Sequence, residues 1–134
     1  MTSIAAAIGR SQLESLAERN ERRRENAARL TDALAPLEGV TTPVEPDGRR
    51  HVYHQYTVRA DDREALSAHL SDAGVSTGVY YPRPIHEQPA YDDVDAAAPA
   101  AERAAGEVLS LPVHPELSDR DVDRVIEAVR GYDG

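Results

Sequence analysis

The sequence contains no cysteine, no tryptophan, no phenylalanine and no lysine; all 15 basic residues among its 134 are arginine. Without cysteine there is neither a disulfide framework nor a thiolate zinc site. No run of 18 apolar residues exists from which a membrane-spanning helix could be built, and no secretory leader pattern opens the chain. A soluble, cytoplasmic protein is expected, with no membrane partner. Basic residues are outnumbered by 24 aspartates and glutamates, giving a formal net charge of −9. That balance argues against nucleic-acid binding through phosphate neutralisation. An acidic, lysine-free, alanine-rich composition suggests a halophilic setting, in which salt screens the self-repulsion of an acidic surface. The missing lysine also leaves the chain without a side-chain amine nucleophile.

What is present fits one domain, residues 1–134, with a modest core. Residues 1–35 read as a long helix: Ile4, Ile8, Leu13, Leu16, Ala17, Ala27, Leu30 and Leu34 recur near the helical repeat. Its centre, Glu18 to Asn26, is polar and expected in solvent, with Glu18–Arg22 and Glu25–Arg29 as i,i+4 pairs. Ile4 to Ile8 is apolar around most of a turn, so that end calls for another body to cover it. Pro36 and Gly39 stop the helix.

The body, residues 36–134, alternates strands and helices. Val40 to Val44 is a candidate edge strand limited by Pro43, and His51 to Arg59 is the clearest strand. Asp61 with Glu64 has a capping-box spacing; Leu66 and Leu70 give the following helix its buried face, and Gly74 ends it. Val75 to Tyr81 is a second strand. Pro99 suits the first residue of an alanine-rich helix reaching about Gly106. Val108 to Val113 is a third strand, and Ser118 with Asp121 opens a last helix striped by Val122, Val125, Ile126 and Val129. The order predicts an α+β, two-layer fold: a small, mostly antiparallel three-stranded sheet with helices on one face, preceded by the long helix. The third strand is placed between the first two, antiparallel to both.

Gly78 to Tyr91 departs from generic core. A β-type run ends in Tyr80-Tyr81, and Pro82, Pro84 and Pro89 then punctuate a stretch carrying Arg83, His86, Glu87 and Gln88. Proline fixes φ and removes a donor, which predicts a stiff, extended loop presenting polar side chains. A plain connector in which His86 caps a nearby carbonyl explains the same residues. Five histidines raise the question of a metal, yet His51 and His54 are expected on opposite faces of a strand and no helix carries H-x-x-x-H. No metal site is therefore expected. No serine lies in a nucleophile-elbow context either, and the paired aspartates read as caps and solvated surface.

Four segments carry a resemblance. Met1 to Leu16, Tyr53-His54-Gln55-Tyr56, Gly78 to Tyr91 and Leu109 to Ser118 follow, in order, segments of the DegT/DnrJ/StrS family of pyridoxal-phosphate sugar aminotransferases. Ala5 stands where glutamine is usual, and Ile85 where leucine is. The match is to the C-terminal small domain alone. The resemblance implies amino transfer, usually from glutamate, to a nucleotide-linked keto-sugar. It implies that residues 1–35 link small to large domain, and that a large pyridoxal-phosphate-binding domain or a homodimer partner completes the enzyme. Tyr81 and His86 are implied contacts for the sugar or nucleotide, and Arg83 for the diphosphate, which a guanidinium suits. The family keeps its cofactor lysine and most of its phosphate cup in the large domain, so no catalytic or cofactor-binding residue is assigned here and the chain alone is expected to be inactive. The competing expectation is a non-catalytic interaction or nucleotide-sugar-binding domain. A DNA-associated regulator is disfavoured by the acidic charge.

Overall fold

A computed structural model describes residues 2–132, so Met1 of the expected long helix lies outside the described residues. The long helix is two: α1, Ser3–Glu14, and α2, Leu16–Leu34. Thr2 caps α1 by accepting from the Ala5 N–H. The break falls at Ser15, whose Oγ donates back to the Gln12 carbonyl; such back-bonding bends helices. α1 buries none of its residues. α2 buries Ala27, Leu30 and Leu34, one stripe at helical spacing, together with Asn26. The centre of the helix is thus less solvated than its polarity predicts: Asn26 is fully enclosed and donates from Nδ2 to the His114 carbonyl at 3.2 Å.

Three strands form the sheet, and the one starting at Val108 lies, as expected, between the other two predicted segments and antiparallel to both. β1 is Val40–Thr41, β2 is Tyr56–Ala60 and β3 is Val108–Leu111. β2 is central and antiparallel to both neighbours, Val40 facing Ala60 and Tyr56 facing Leu111. The expected strand from Val75 to Tyr81 is reduced to a single antiparallel bridge, Gly78 to Ser110. Its side of β3 is the one expected, but the prolines after Tyr81 leave nothing to extend the ladder. His51 to Gln55 is not strand, because Tyr53 turns to a φ of +46°.

The remaining helices are α3, Arg63–Asp72, α4, Pro99–Glu107, and α5, Asp119–Arg130. Asp62, not Asp61, caps α3, accepting from Ala65 N at 2.9 Å. α3 ends as Gly74 takes a φ of +72°, with Val75 N–H reaching the Leu70 carbonyl and Gly74 N–H that of Ser71; only glycine does this without cost. The Ser118–Asp121 capping box of α5 is formed in both directions. Tyr56, Val58 and Ala60 of β2, with Leu109 and Leu111 of β3, pack against Leu30, Leu34, Leu66, Leu70, Val122 and Val129 in one core cluster.

One buried hydroxyl ties sheet to helix. Tyr56 Oη lies 2.9 Å from Thr31 Oγ1, and burial pushes its phenol from 10.0 up to about 12. A raised phenol means that the folded state resists ionisation, so stability falls as pH climbs from 10.0 toward about 12. Tyr56→Phe is expected to cost about 1 kcal/mol in urea unfolding near neutrality and to blunt that alkaline loss. An unchanged alkaline limb would rule the assignment out.

The helical i,i+4 pairs expected on α2 are not the ones made. Arg22 reaches Asp119 at 2.8 Å and the Leu117 carbonyl at 3.2 Å, while Arg29 reaches Asp119 at 2.9 Å and Asp123 at 2.6 Å. The two arginines lock α2 to the start of α5, and hydrogen bonding from Arg22 holds the Asp119 carboxyl below its usual range. Exposed pairs of this kind contribute little to stability and weaken in salt. The net charge of −9 works the other way, since salt screens its repulsion. The melting temperature is expected to rise from low to molar salt; a flat profile in differential scanning calorimetry would remove the halophilic reading.

Candidate functional site

The loop between β1 and β2 is held from below by one carboxylate. Glu45 accepts from Arg24 Nη1 through both oxygens, at 2.9 and 3.0 Å, from the His51 N–H at 3.0 Å and from the Tyr53 hydroxyl at 3.4 Å. Arg24 also donates to the His51 carbonyl at 2.6 Å. These bonds, led by that from Arg24, pull the Glu45 carboxyl below its ordinary value. The clamp fixes the chain just before the left-handed turn at Tyr53, and the next two residues, His54 and Gln55, enter a surface groove.

That groove encloses about 500 Å³ and is lined by His54, Gln55, Thr77, Gly78, Tyr80 and His114, among others. It collects the ends of three segments: the approach to β2, the bridge beside β3 and the exit from β3. Its floor includes Ser110, whose hydroxyl lies 2.8 Å from that of Thr57. The Tyr80 ring lies over Gly78 so closely that a Cβ there would come within 2.6 Å of it. Gly78 is therefore the residue that allows one wall to close.

Beyond Tyr80 the loop leaves the groove. The Tyr80–Tyr81 peptide bond is cis, and the two rings meet edge to face at 6.1 Å. The loop is less extended than its prolines suggest: it winds into two single turns of 3-10 helix, Ile85–Glu87 and Pro89–Tyr91, closed by Glu87 N–H to Pro84 O and Tyr91 N–H to Gln88 O. Proline here starts turns as well as ending strands. Tyr81 is 75% exposed, and Arg83 is also exposed. Neither side chain has a hydrogen-bond partner among the described residues, so both are free to meet a ligand. His86 is half-buried and turned toward α4, where its Nε2 lies 3.0 Å from Glu102 Oε1. Among the described residues it caps no carbonyl.

Tyr81, Arg83 and His86 therefore lie on one loop, but none of them lines the groove. His54, Gln55 and His114 do line it and were not singled out as site residues by sequence reasoning; their place in the resembling segments was the available signal. His86, Glu87 and Glu102 also gather, with donor atoms within 4.8 Å of one another. Sixteen residues separate Glu102 from His86, and no motif spacing announces the approach.

The groove is built from segment ends, and near the N-terminus Ile4, Ile8 and Leu13 of α1 and Leu16 at the start of α2 stay exposed. A model of the DegT/DnrJ/EryC1/StrS aminotransferase family matches residues 1–130. The chain belongs to that family. It is 42% identical to a pleiotropic regulatory protein of Geobacillus stearothermophilus, over 98% of this chain and 37% of that protein. It is 36% identical to dTDP-3-amino-3,6-dideoxy-alpha-D-galactopyranose transaminase of Aneurinibacillus thermoaerophilus, over 98% of this chain and 36% of that one. The aminotransferase TlmJ from Streptoalloteichus hindustanus superposes with a TM-score of 0.88 at 43% identity, covering 95% of this chain and 35% of TlmJ. The chain thus spans little more than a third of the length of these DegT-family relatives.

Proposed function

We propose that this chain acts as the C-terminal small domain of a pyridoxal-phosphate-dependent aminotransferase that moves an amino group, from glutamate, to a nucleotide-linked keto-sugar. The observation that carries this reading is the unbroken family match over residues 1–130 set against relatives nearly three times as long. Pyridoxal phosphate supplies an electron sink when bound, but it needs a lysine amine to hold it and to move the proton. No lysine exists anywhere in this sequence. The residues here do not fit the cofactor by themselves; a lysine-bearing large domain has to supply its site. In that assembly Tyr81 and His86 contact the sugar or nucleotide, and Arg83 the diphosphate.

The apolar face of α1 is the surface on which the large domain, or a homodimer partner, sits. Ile4 is 75% and Ile8 56% exposed, and an uncovered patch of that kind marks an interface. The purified chain is expected to self-associate in sedimentation velocity, and Ile4→Glu with Ile8→Glu to return it to monomer. A strictly monomeric wild type at high concentration, with both isoleucines folded onto their own core, would count against the interface.

The decisive experiment joins this chain to a lysine-bearing family large domain, as a fusion or a co-expressed pair. Glutamate-dependent amination of a nucleotide keto-sugar supports the proposal. Inactivity of a folded, cofactor-loaded assembly overturns it in favour of a non-catalytic interaction or nucleotide-sugar-binding domain, which the missing lysine fits equally. The coding sequence upstream of Met1 discriminates the same two readings.

A further inference from the structure

Glu102 sits in the first turn of α4, and one of its oxygens carries two bonds. Oε1 accepts from the Ala98 N–H at 2.9 Å, closing the start of the helix, and lies 3.0 Å from His86 Nε2. A carboxylate only accepts, so the hydrogen between them belongs to the imidazole. In the neutral ring this places the proton on Nε2 and leaves Nδ1 as a lone-pair acceptor. Among the described residues Nδ1 has no partner. The side-chain atoms that are both sealed from solvent and unpaired are Arg23 Nε and Asn26 Oδ1, so His86 Nδ1 is open to the surface.

We propose that Glu102 is a positioning residue that fixes His86 as the Nε2–H tautomer, so that Nδ1 accepts a hydrogen bond from a neutral donor, a hydroxyl of the sugar or ribose. The ligand part rests on the reading of this loop as part of a nucleotide-sugar site; the tautomer part does not. Electrostatics chooses between the two groups such a ligand offers. Glu87 Oε1 stands 4.0 Å from Nε2, so the imidazole is flanked by two carboxylates. A diphosphate would meet that negative charge, whereas a hydroxyl donor meets the free lone pair of Nδ1. The same donors resemble a cation site, but Glu102 Oε1 is already engaged at the positive end of α4, which disfavours a metal there.

Long-range nitrogen–proton NMR on the isotope-labelled 134-residue chain, read on the neutral ring, tests each part. Wild type is expected to show the Nε2–H tautomer of His86, Glu102→Gln to keep it through its amide oxygen, and Glu102→Ala to lose it to a mixture. A mixed or Nδ1–H wild type overturns the positioning role with no variant needed, and an unchanged tautomer in a folded Glu102→Ala overturns it as well. UDP-glucose is expected to move the Nδ1 signal and inorganic pyrophosphate to leave it in place. The reverse pattern overturns the hydroxyl assignment. A fixed tautomer with no response to UDP-glucose overturns the substrate part alone and leaves the positioning role standing. Displacement of His86, ahead of the other histidines, by one equivalent of zinc would make the cluster a cation site instead.

Discussion

Reduced with borohydride after incubation with pyridoxal phosphate, the purified chain is expected to retain no cofactor on any side chain. The reason is compositional: a stable reducible adduct needs an amine, and all 15 basic residues are arginine, whose guanidinium stays protonated. A visible absorption band is expected to disappear on dialysis, and mass spectrometry of the reduced digest to find only unmodified side chains. Joined to a lysine-bearing large domain, the same material is expected to carry about one label per active site, all of it in the large domain. The contrast is all or none. Stoichiometric label on a side chain within residues 2–134 would overturn the account of this chain as catalytically incomplete.

The elements that a short stretch specifies were legible in the sequence. The stripe Leu30–Leu34, the Ser118–Asp121 box and the stop at Gly74 each need only neighbours within one or two turns, and each is found as expected. What depends on distant partners was not. Arg29 had Glu25 available at helical spacing, yet it reaches Asp119 and Asp123 on α5, and Arg22 divides its guanidinium between Glu25 and Asp119. His51 to Gln55 has strand-forming residues, but Glu45 holds the segment against Arg24 and turns Tyr53 left-handed before pairing can begin. That turn sends His54 and Gln55 into the groove, and a β-propensity argument has no means of finding it. The loop was the mixed case. Its prolines announced a rigid presenter of polar groups, while the turns at Ile85–Glu87 and Pro89–Tyr91, and the tie from His86 to Glu102, appear only once α4 is folded beside it.

Replacing Tyr81 by phenylalanine, or His86 by alanine, in an assembled enzyme is expected to weaken apparent nucleotide-sugar affinity roughly 5- to 150-fold, about 1–3 kcal/mol for each lost hydrogen bond. The two variants are not equivalent controls. Tyr81 is 75% exposed and its hydroxyl makes no hydrogen bond among the described residues, so Tyr81→Phe is expected to leave the melting temperature unchanged. His86→Ala also removes the partner of Glu102 and loosens the loop from α4, so some loss of stability accompanies it. The glutamate half-reaction uses the same cofactor with a much smaller substrate, and its KM is expected to stay near wild type in both. A selective rise in the nucleotide-sugar KM for Tyr81→Phe, at unchanged stability, separates ligand contact from scaffold. Equal damage to both half-reactions, or damage to neither, would make the loop a connector and remove Tyr81 and His86 from the site.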